Sequence, residues 1–247
     1  MRYLSILFFA LLILPTFSTE AAATTYYIGD FTGASASDDS TCGLGKGIAP
    51  EPHPCATLAW FNRYRRSVLV AGDVVRLAPG VYAATATDNY HCIPMQAGLT
   101  WEGRTAADEP AAGFTEVVID SSNTGSTDIC YGRGVTCPSA SGCDASGFTV
   151  RDLTLRDGSA QGVKIDVPSG LISSGLTFER IRIAGFGKQG MNISNQPSDV
   201  DCASTGRRVR DLLVRDSLIE GNHGVFGGIA VNCVDGFAVE GLSLIHI

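Results

Sequence analysis

The stretch FTVRDLTL, residues 148–155, decides the fold because related phrases return three times before the chain ends. The later copies read LTFERIRI at 176–183, VRDLLV at 209–214 and FAVEGLSL at 237–244. The aligned positions are Val150, Phe178, Val209 and Val239. Their steps of 28, 31 and 30 residues are typical of solenoid proteins. The sequence therefore predicts a stack of similar coils.

Each copy contains a short strand with one buried face. Apolar residues alternate with polar ones, as at Leu153 and Leu155, and this period of two buries one side of a β-strand. A second short strand follows after 13 residues, at 163–166 and at 191–194. In the third copy we predict it at 229–232, after a seven-residue insertion. Each coil should therefore contain at least two strands.

Short strands, turns with Gly and Asp, and a period near 30 residues indicate a parallel β-helix. In this architecture each strand pairs with its equivalent about 4.8 Å away in the next coil. A βαβ fold needs an amphipathic helix between strands, and residues 157–162 are too few and too rich in glycine to supply one. Leucine-rich repeats are shorter and carry an asparagine ladder that is missing here. The expected fold class is therefore all-β.

The amino-terminal segment has the features of a secretory signal. Arg2 precedes an apolar run over 4–14, and Ala21-Ala22-Ala23 provides a cleavage site. A membrane anchor is the alternative, but the run is too short to cross a bilayer as a helix. We predict a signal peptide over 1–23, no membrane span, and a secreted or periplasmic protein.

Eight cysteines follow the predicted signal, and an even count in an exported protein predicts disulfide bonds. The expected pairs are local: Cys42 with Cys55, Cys137 with Cys143, and Cys202 with Cys233. A zinc site is the alternative, although no Cys-x-x-Cys spacing or His-rich pattern supports it.

The net charge of −7 is unevenly distributed. Residues 24–147 contain 7 basic and 13 acidic residues, whereas 148–247 contain 10 and 11. No basic patch with interleaved aromatic residues appears, so nucleic acid is not an expected partner. The coils should be nearly neutral and rich in arginine, and we expect a monomer.

The amino-terminal region of the mature chain resembles a known family. Residues 57–68 have Leu58, Phe61 and Tyr64 at helical spacing, which predicts a helix that caps the open end of the solenoid. Together with YYI (26–28), PCATL (54–58) and GDVVRLAPGVY (72–82), this region resembles the cap and first coil of secreted right-handed parallel β-helix proteins of the pectate-lyase-like superfamily. The resemblance implies a right-handed parallel β-helix with an amino-terminal capping helix.

The domain organisation follows from these features. A cap and first coil occupy 24–97, and the β-helix coils occupy 98–247. The last phrase stops inside a fourth repeat with no cap, so we expect a fragment. Members of the superfamily include polysaccharide lyases, glycoside hydrolases, esterases, epimerases and non-enzymatic surface proteins, so the fold alone does not select an activity.

Stacked coils place equivalent outward residues in rows, and these rows define candidate grooves. The first groove is expected to contain the rows Lys164–Asn192–Ala230 and Asp166–Ser194–Asn232, with the loop 195–208 overhanging it. Another face is expected to contain the rows Thr154–Arg182–Leu213 and Arg156–Ala184–Arg215.

A lyase reaction is the favoured hypothesis, with an acidic polysaccharide as its substrate. Removal of the proton next to a uronic acid carboxylate needs a base and a positive charge near that carboxylate. Lys164 is the candidate base, and Arg207 or Arg215 the carboxylate partner. Superfamily members commonly use calcium held by acidic residues, so calcium is the one cofactor expected. The remaining candidates are Asp166, Asp199 and Asp201 as calcium ligands, and Arg182, Asn192 and Asn232 as substrate-binding residues.

Two alternatives remain open. A glycoside hydrolase would use paired carboxylates, but the polygalacturonase-type set of Asn-Thr-Asp, Asp-Asp and Gly-His-Gly is absent. The segment GNHG (221–224) resembles only the Gly-His-Gly motif, and only weakly. His223 is better explained as a turn residue. A non-enzymatic β-helix that binds glycans or forms a surface structure is also consistent with rows of Thr, Ser, Asn and Ala.

Overall fold

The computed structural model describes residues 22–46, 52–83, 90–114, 116–122, 130, 132–137, 142–168, 170–193, 208–223 and 227–245. The predicted signal peptide and the loop 195–207 therefore lie almost entirely outside the described residues. Within the described ranges the strands are β1 (Thr25–Ile28), β2 (Val74–Leu77), β3 (Gly80–Ala83), β4 (Ile93–Pro94), β5 (Thr100–Gly103), β6 (Val117–Asp120), β7 (Val135–Thr136), β8 (Thr149–Arg156), β9 (Val163–Ile165), β10 (Ile172–Ser174), β11 (Thr177–Ala184), β12 (Met191–Ile193), β13 (Arg208–Arg215), β14 (Leu218–Glu220), β15 (Ile229–Val231), β16 (Val234–Glu240) and β17 (Ser243–Ile245).

These strands pair in parallel and form two sheets, of 12 and 5 strands. Each strand hydrogen-bonds to its equivalent in the next coil, so the main path of the larger sheet runs β1, β2, β5, β8, β11, β13. The chain is a right-handed parallel β-helix, as the sequence predicts. None of the helices in the described ranges has the length and apolar character needed to cross a membrane.

The coil has three faces because the long strands bend. Asp152 in β8 and Arg180 in β11 have φ angles of 62° and 48°, which turn the strand through a corner. Face 1 comprises β1, β2, β5, the first parts of β8 and β11, and the ends of β13 and β16. Face 2 comprises β3, β6, the second parts of β8 and β11, β14 and β17. The remaining strand, β10, pairs with the first part of β13, which together with the first part of β16 precedes the corner at Asp211 and belongs to none of the three faces. Face 3 is the five-stranded sheet of β4, β7, β9, β12 and β15.

The core consists of inward side chains stacked along the axis. The face 1 column is Tyr26, Val75, Trp101, Val150, Phe178 and Val214, all buried. Ile119, Leu155, Ile183 and Ile219 form the column of face 2, and Ile93, Val135, Val163 and Met191 that of face 3. Each such side chain contributes about 1.5–3 kcal/mol through burial.

The predicted register of the third copy is wrong. Phe178 pairs with Val214 rather than with Val209, so the step from Phe178 is 36 residues and not 31. Likewise Leu155 and Ile183 stack on Ile219 and not on Val214. The large extension of the third coil therefore precedes its face 1 strand, whereas the sequence analysis placed a seven-residue insertion after it.

The predicted capping helix is present, although it is shorter than expected. Helix α1 spans Leu58–Tyr64 and is followed by a 3-10 turn at Arg66–Val68. Thr57 caps its amino terminus, because its hydroxyl accepts a hydrogen bond from the Trp60 amide. Phe61 packs edge-on against Tyr26 and Trp101 at 5.7 and 5.9 Å between ring centroids, and the helix thereby closes the core of the first coils.

The disulfide pairs Cys42–Cys55 and Cys137–Cys143 are confirmed. A third bond, Cys92–Cys130, was not predicted from the sequence and links segments 38 residues apart. Cys233 is also disulfide-bonded, and its predicted partner, Cys202, lies outside the described residues.

Candidate functional site

Face 3 holds a partly buried amine in a defined polar environment. Lys164 lies between Val163 and Ile165 of β9, and these neighbours point into the core, so its own side chain leaves the opposite side of the strand. Its Nζ donates a hydrogen bond to Asn192 Oδ1 at 2.9 Å and lies 3.1 Å from Asp166 Oδ1. Only 15% of the Lys164 side chain is exposed. The structure therefore brings together three residues that the sequence analysis selected.

Burial lowers the pKa of Lys164 below its ordinary value. The nearby carboxylate of Asp166 opposes this change, and the positive charges of Arg133 and Lys188 reinforce it. These groups amount to three cations and one carboxylate around one position on face 3. A lysine with a lowered pKa is more easily neutral, which a general base requires.

Glycines place β9 and β12 close enough for this contact. A Cβ on Gly162 would lie 2.6 Å from the carbonyl oxygen of Gly190, and a Cβ on Gly190 would lie 2.5 Å from Ile219 Cγ2. Just before face 3 the backbone lies so close to the neighbouring atoms that only glycine, which has no side chain, fits at these two positions. Lys164 and Asn192 follow these glycines by two residues and pair directly in the ladder.

The other predicted residues of face 3 are less closely connected. The predicted row Lys164–Asn192–Ala230 is confirmed by the register of β9, β12 and β15. Asn232 follows β15 and is exposed. Its backbone N–H donates a hydrogen bond to the carbonyl oxygen of Ile193 at 2.7 Å. Ser194, its predicted row neighbour, lies outside the described residues.

Arg182 and Arg215 lie on different faces from Lys164, so the structure does not bring them into one site. Arg182 on face 2 follows Thr154 in its row, as predicted. The next member of the row is Leu218 and not Leu213. The Nη2 atom of Arg182 lies 2.5 Å from Glu220 Oε1. Arg215 lies on face 1, where its Nη2 is 2.8 Å from Glu179 Oε1. Its predicted row with Arg156 and Ala184 is corrected, because Glu220 is the residue that follows Ala184.

The predicted calcium ligands are only partly described. Asp166 forms an ion pair with Lys164, and Asp199, Asp201 and the candidate Arg207 lie outside the described residues. In the described ranges, no group of three or more His, Cys, Asp or Glu side chains could hold a metal ion. The described residues thus supply one of the three predicted ligands, and that one is already paired with an amine.

A charged row on face 1 is absent from the sequence-based predictions. In the observed register its members alternate in sign: Arg76, Glu102, Arg151, Glu179, Arg215 and Glu240. The signal is visible in the phrases VVR, TWE, TVR, TFE, LVR and AVE, each ending in one of these residues. With Val209 in the place of Val214 the row would contain Arg210 and still alternate, so the register error changes only which arginine of the third coil belongs to it.

Comparison with known proteins gives matches in structure but none in sequence. No family model matches the chain, and no curated protein matches it in sequence. The fold is similar to that of a rhamnogalacturonan lyase, with 16% identity and a TM-score of 0.50 over 90% of this chain and 51% of that chain. It is also similar to pectate lyase Pel9A, with 13% identity and a TM-score of 0.45 over 90% of this chain and 47% of that chain.

The class that these observations define is the parallel β-helix, and the resemblance predicted from the sequence is confirmed for the fold. The chain spans about half the length of each solved structure it matches. At these identities the similarity carries no information about individual site residues.

Proposed function

We propose that the protein acts on an extracellular acidic polysaccharide by β-elimination, with Lys164 as the base. The observation that carries this proposal is the partly buried Lys164 amine, which has a lowered pKa and is held by Asn192 and Asp166 on a regular face of the β-helix. The disulfide bonds support an oxidising compartment, in agreement with a secreted or periplasmic protein.

The proposed reaction uses the charge distribution around Lys164. The neutral amine accepts the proton next to the carboxylate of a uronic acid, and the electron pair of that C–H bond moves toward the carboxylate. The positive charges of Arg133 and Lys188 stabilise the resulting enolate. The electron pair then forms a C=C bond as the glycosidic C–O bond breaks. The leaving oxygen takes up a proton from solvent, and Lys164 returns the proton that it accepted to solvent.

Calcium dependence is part of the proposal. Asp166, Asp199 and Asp201 would hold the ion as hard oxygen ligands. A bound ion would supply positive charge for the substrate carboxylate. Loss of turnover in a chelator, restored by added calcium, would support this assignment, and full activity in the chelator would oppose it.

The experiment measures unsaturated sugar products by their ultraviolet absorbance on a panel of acidic polysaccharides. We expect Lys164→Arg to lose at least a hundredfold in turnover, because a guanidinium keeps the charge but cannot act as a base. Arg156→Gln on face 2 is the control, with an expected change of less than twofold. Thermal unfolding would verify that both variants fold.

Other outcomes would select a different function. Full turnover in Lys164→Arg would exclude the proposed base. Reducing-sugar release without unsaturated product would indicate a glycoside hydrolase. Polysaccharide binding without any product would indicate a non-enzymatic role.

A further inference from the structure

Six charged side chains on and beside face 1 form one connected group, here called the cation cluster. Its members are Lys46, Arg76, Glu102, Arg104, Asp108 and Arg151. Arg76, Glu102 and Arg151 are consecutive in the charged row of face 1, whereas Lys164 lies on face 3. The cluster is therefore separate from the proposed reaction site.

Two carboxylates connect the four cations. Glu102 Oε1 lies 2.9 Å from Arg76 Nε and 3.5 Å from Arg104 Nη1, and Glu102 Oε2 lies 2.5 Å from Arg151 Nη2. Asp108 lies 2.8 Å from Lys46, 3.0 Å from Arg76 and 3.3 Å from Arg104. The group therefore has an excess of two positive charges, in a chain whose net charge is −7.

The charges of Asp108 and Arg76 are stabilised by the cluster, and ion pairs fix the positions of its side chains. Burial acts to raise the pKa of Asp108, but contacts with Lys46, Arg76 and Arg104 lower it overall. The pKa of Arg76 is raised, because Asp108 and Glu102 outweigh burial. Lys46 also lies over the ring of Tyr27, 5.5 Å from its centroid. Arginines held in this way lose little further conformational freedom when they bind a ligand.

The outer cations are accessible to a ligand. The exposed fractions of the Lys46, Arg151 and Arg76 side chains are 41%, 38% and 26%, whereas Glu102 is only 2% exposed. An approaching anion therefore meets the cations before the carboxylates. Glu179, the next carboxylate in the row, is itself paired with Arg180 and Arg215 and does not offset this excess.

We propose that the cation cluster is a second binding site, which holds carboxylate groups of an acidic polysaccharide on face 1. Arginine binds carboxylates through paired N–H groups in a fixed geometry, and equivalent residues two coils apart are about 10 Å from one another along the axis. Arg76 and Arg151 are separated in this way and could contact successive acidic groups of one polymer. The choice of polysaccharide as ligand rests on the proposed function.

The test measures binding of polygalacturonate to the full chain, with neutral galactan as the comparison polymer. The test variant is the double substitution Lys46→Gln and Arg151→Gln, which leaves Arg76 and Arg104 with both carboxylates. The matched control is Arg156→Gln with Arg210→Gln, which removes two paired arginines outside face 1 and changes the net charge equally. Thermal unfolding verifies that each variant folds.

We expect the test variant to weaken polygalacturonate binding at least tenfold and the control variant to weaken it less than twofold. Lys46→Arg should retain binding, because the positive charge is kept, and added salt should weaken it. An equal loss in the test and control variants, or no loss in the folded test variant, would overturn the proposal. Equal binding of duplex DNA through the same residues would overturn the assigned ligand class.

The failure of this proposal is distinguishable from failure of the proposed function. Lys164→Arg should lose turnover and bind polygalacturonate like the original chain. If no substrate gives product but the test variant still loses binding, the second site remains and the lyase function is rejected. If turnover depends on Lys164 but the test variant binds normally, only the second site is rejected.

Discussion

Arg151 and Arg215 lie in one row of face 1, with Glu179 between them in the hydrogen-bonded register. Tyr27 precedes Arg76 in this row, and from Arg76 and Glu102 onward adjacent coils present opposite charges. Like charges are two coils apart, about 10 Å, whereas opposite charges are neighbours at about 4.8 Å. Strand register on this face is therefore favoured by the charges as well as by the buried column of Val150, Phe178 and Val214.

Replacement of Glu179 and Arg215 by glutamine, singly and together, should reveal a favourable coupling. We expect about 0.5–1 kcal/mol, because the pair is close but partly exposed. Urea unfolding of the four proteins measures this energy. Arg215→Gln combined with Asp120→Asn should be additive, because Asp120 lies on face 2 and pairs with Arg156. Additive effects of Glu179→Gln and Arg215→Gln would contradict the observed register.

Gly190→Ala should destabilise the protein by about 1–3 kcal/mol, because the added methyl group must displace packed atoms. Its Cβ would lie 2.5 Å from Ile219 Cγ2 and 2.9 Å from Asn222 Nδ2. Chemical denaturation gives the change in unfolding free energy. Gly113→Ala is the control, since no atom lies within 4 Å of its Cβ, and it should change stability by less than about 0.5 kcal/mol. Equal effects of the two substitutions would show that the close approach at Gly190 is absent.

Stability should fall on acidification below about pH 4. Burial acts to raise the pKa values of Asp108 and Asp120, but both values are lowered overall. For Asp108 the contacts that lower it include Lys46. For Asp120 they include Ser122 and Arg156. A carboxyl group whose pKa is lower in the folded state stabilises the fold above its unfolded pKa, about 3.9, and that contribution disappears as pH falls through the folded pKa.

Urea unfolding between pH 7 and pH 2 measures this loss. Asp108→Asn should reduce the pH dependence, whereas Asp235→Asn, at a side chain that is 68% exposed, should leave it unchanged. A pH dependence that is the same in Asp108→Asn as in the original chain would refute the role assigned to Asp108.

The rate of the proposed elimination should rise with pH through a pKa below the ordinary lysine value of about 10.4, because only neutral Lys164 can accept the proton. Lys188→Gln removes a positive charge that lowers this pKa, so the profile should move to higher pH. Asp166→Asn removes the opposing negative charge and should move the profile to lower pH. Kinetics across the pH range provide the test, and shifts in the same direction for both variants would disprove the electrostatic assignment.

Much of the fold was predictable because it depends on local patterns. Alternating side chains at Leu153 and Leu155 specify a strand with one buried face, and Leu58, Phe61 and Tyr64 specify the capping helix. The short spacings of Cys42–Cys55 and Cys137–Cys143 likewise made these bonds predictable. The bond Cys92–Cys130 was not predictable, because it joins two segments that only the stacking of coils brings together.

The register of the third coil could not be read in the same way. The tripeptide VRD occurs at 150–152, 209–211 and 214–216. Asp152 and Asp211 have nearly the same φ, 62° and 51°, so their local conformations agree. They nevertheless occupy different corners, because Phe178 pairs with both Val150 and Val214. Val209 was therefore aligned with Val150 because the two segments share a local pattern, although they occupy different positions in the coil.

The candidate site was predictable only where its residues lie on equivalent strands. Lys164 and Asn192 occupy the same position of consecutive short strands, so row geometry brought them together correctly. Arg182 and Arg215 were predicted together on another face and chosen for the site by residue type. The corners at Arg180 and Asp216 place them on two different faces, Arg182 on face 2 and Arg215 on face 1.

The sequence by itself determined the parallel β-helix, its cap and the pairing of Lys164 with Asn192, because these follow from side-chain alternation and local spacing. Only the tertiary structure decided which VRD segment continues the face 1 column, which face each arginine occupies, and that Lys46, Arg76, Arg104 and Arg151 converge on Glu102 and Asp108. The physical reason is that pairing between coils depends on how much chain lies between strands and on how inward side chains pack, and neither is expressed in the conformation of a short segment.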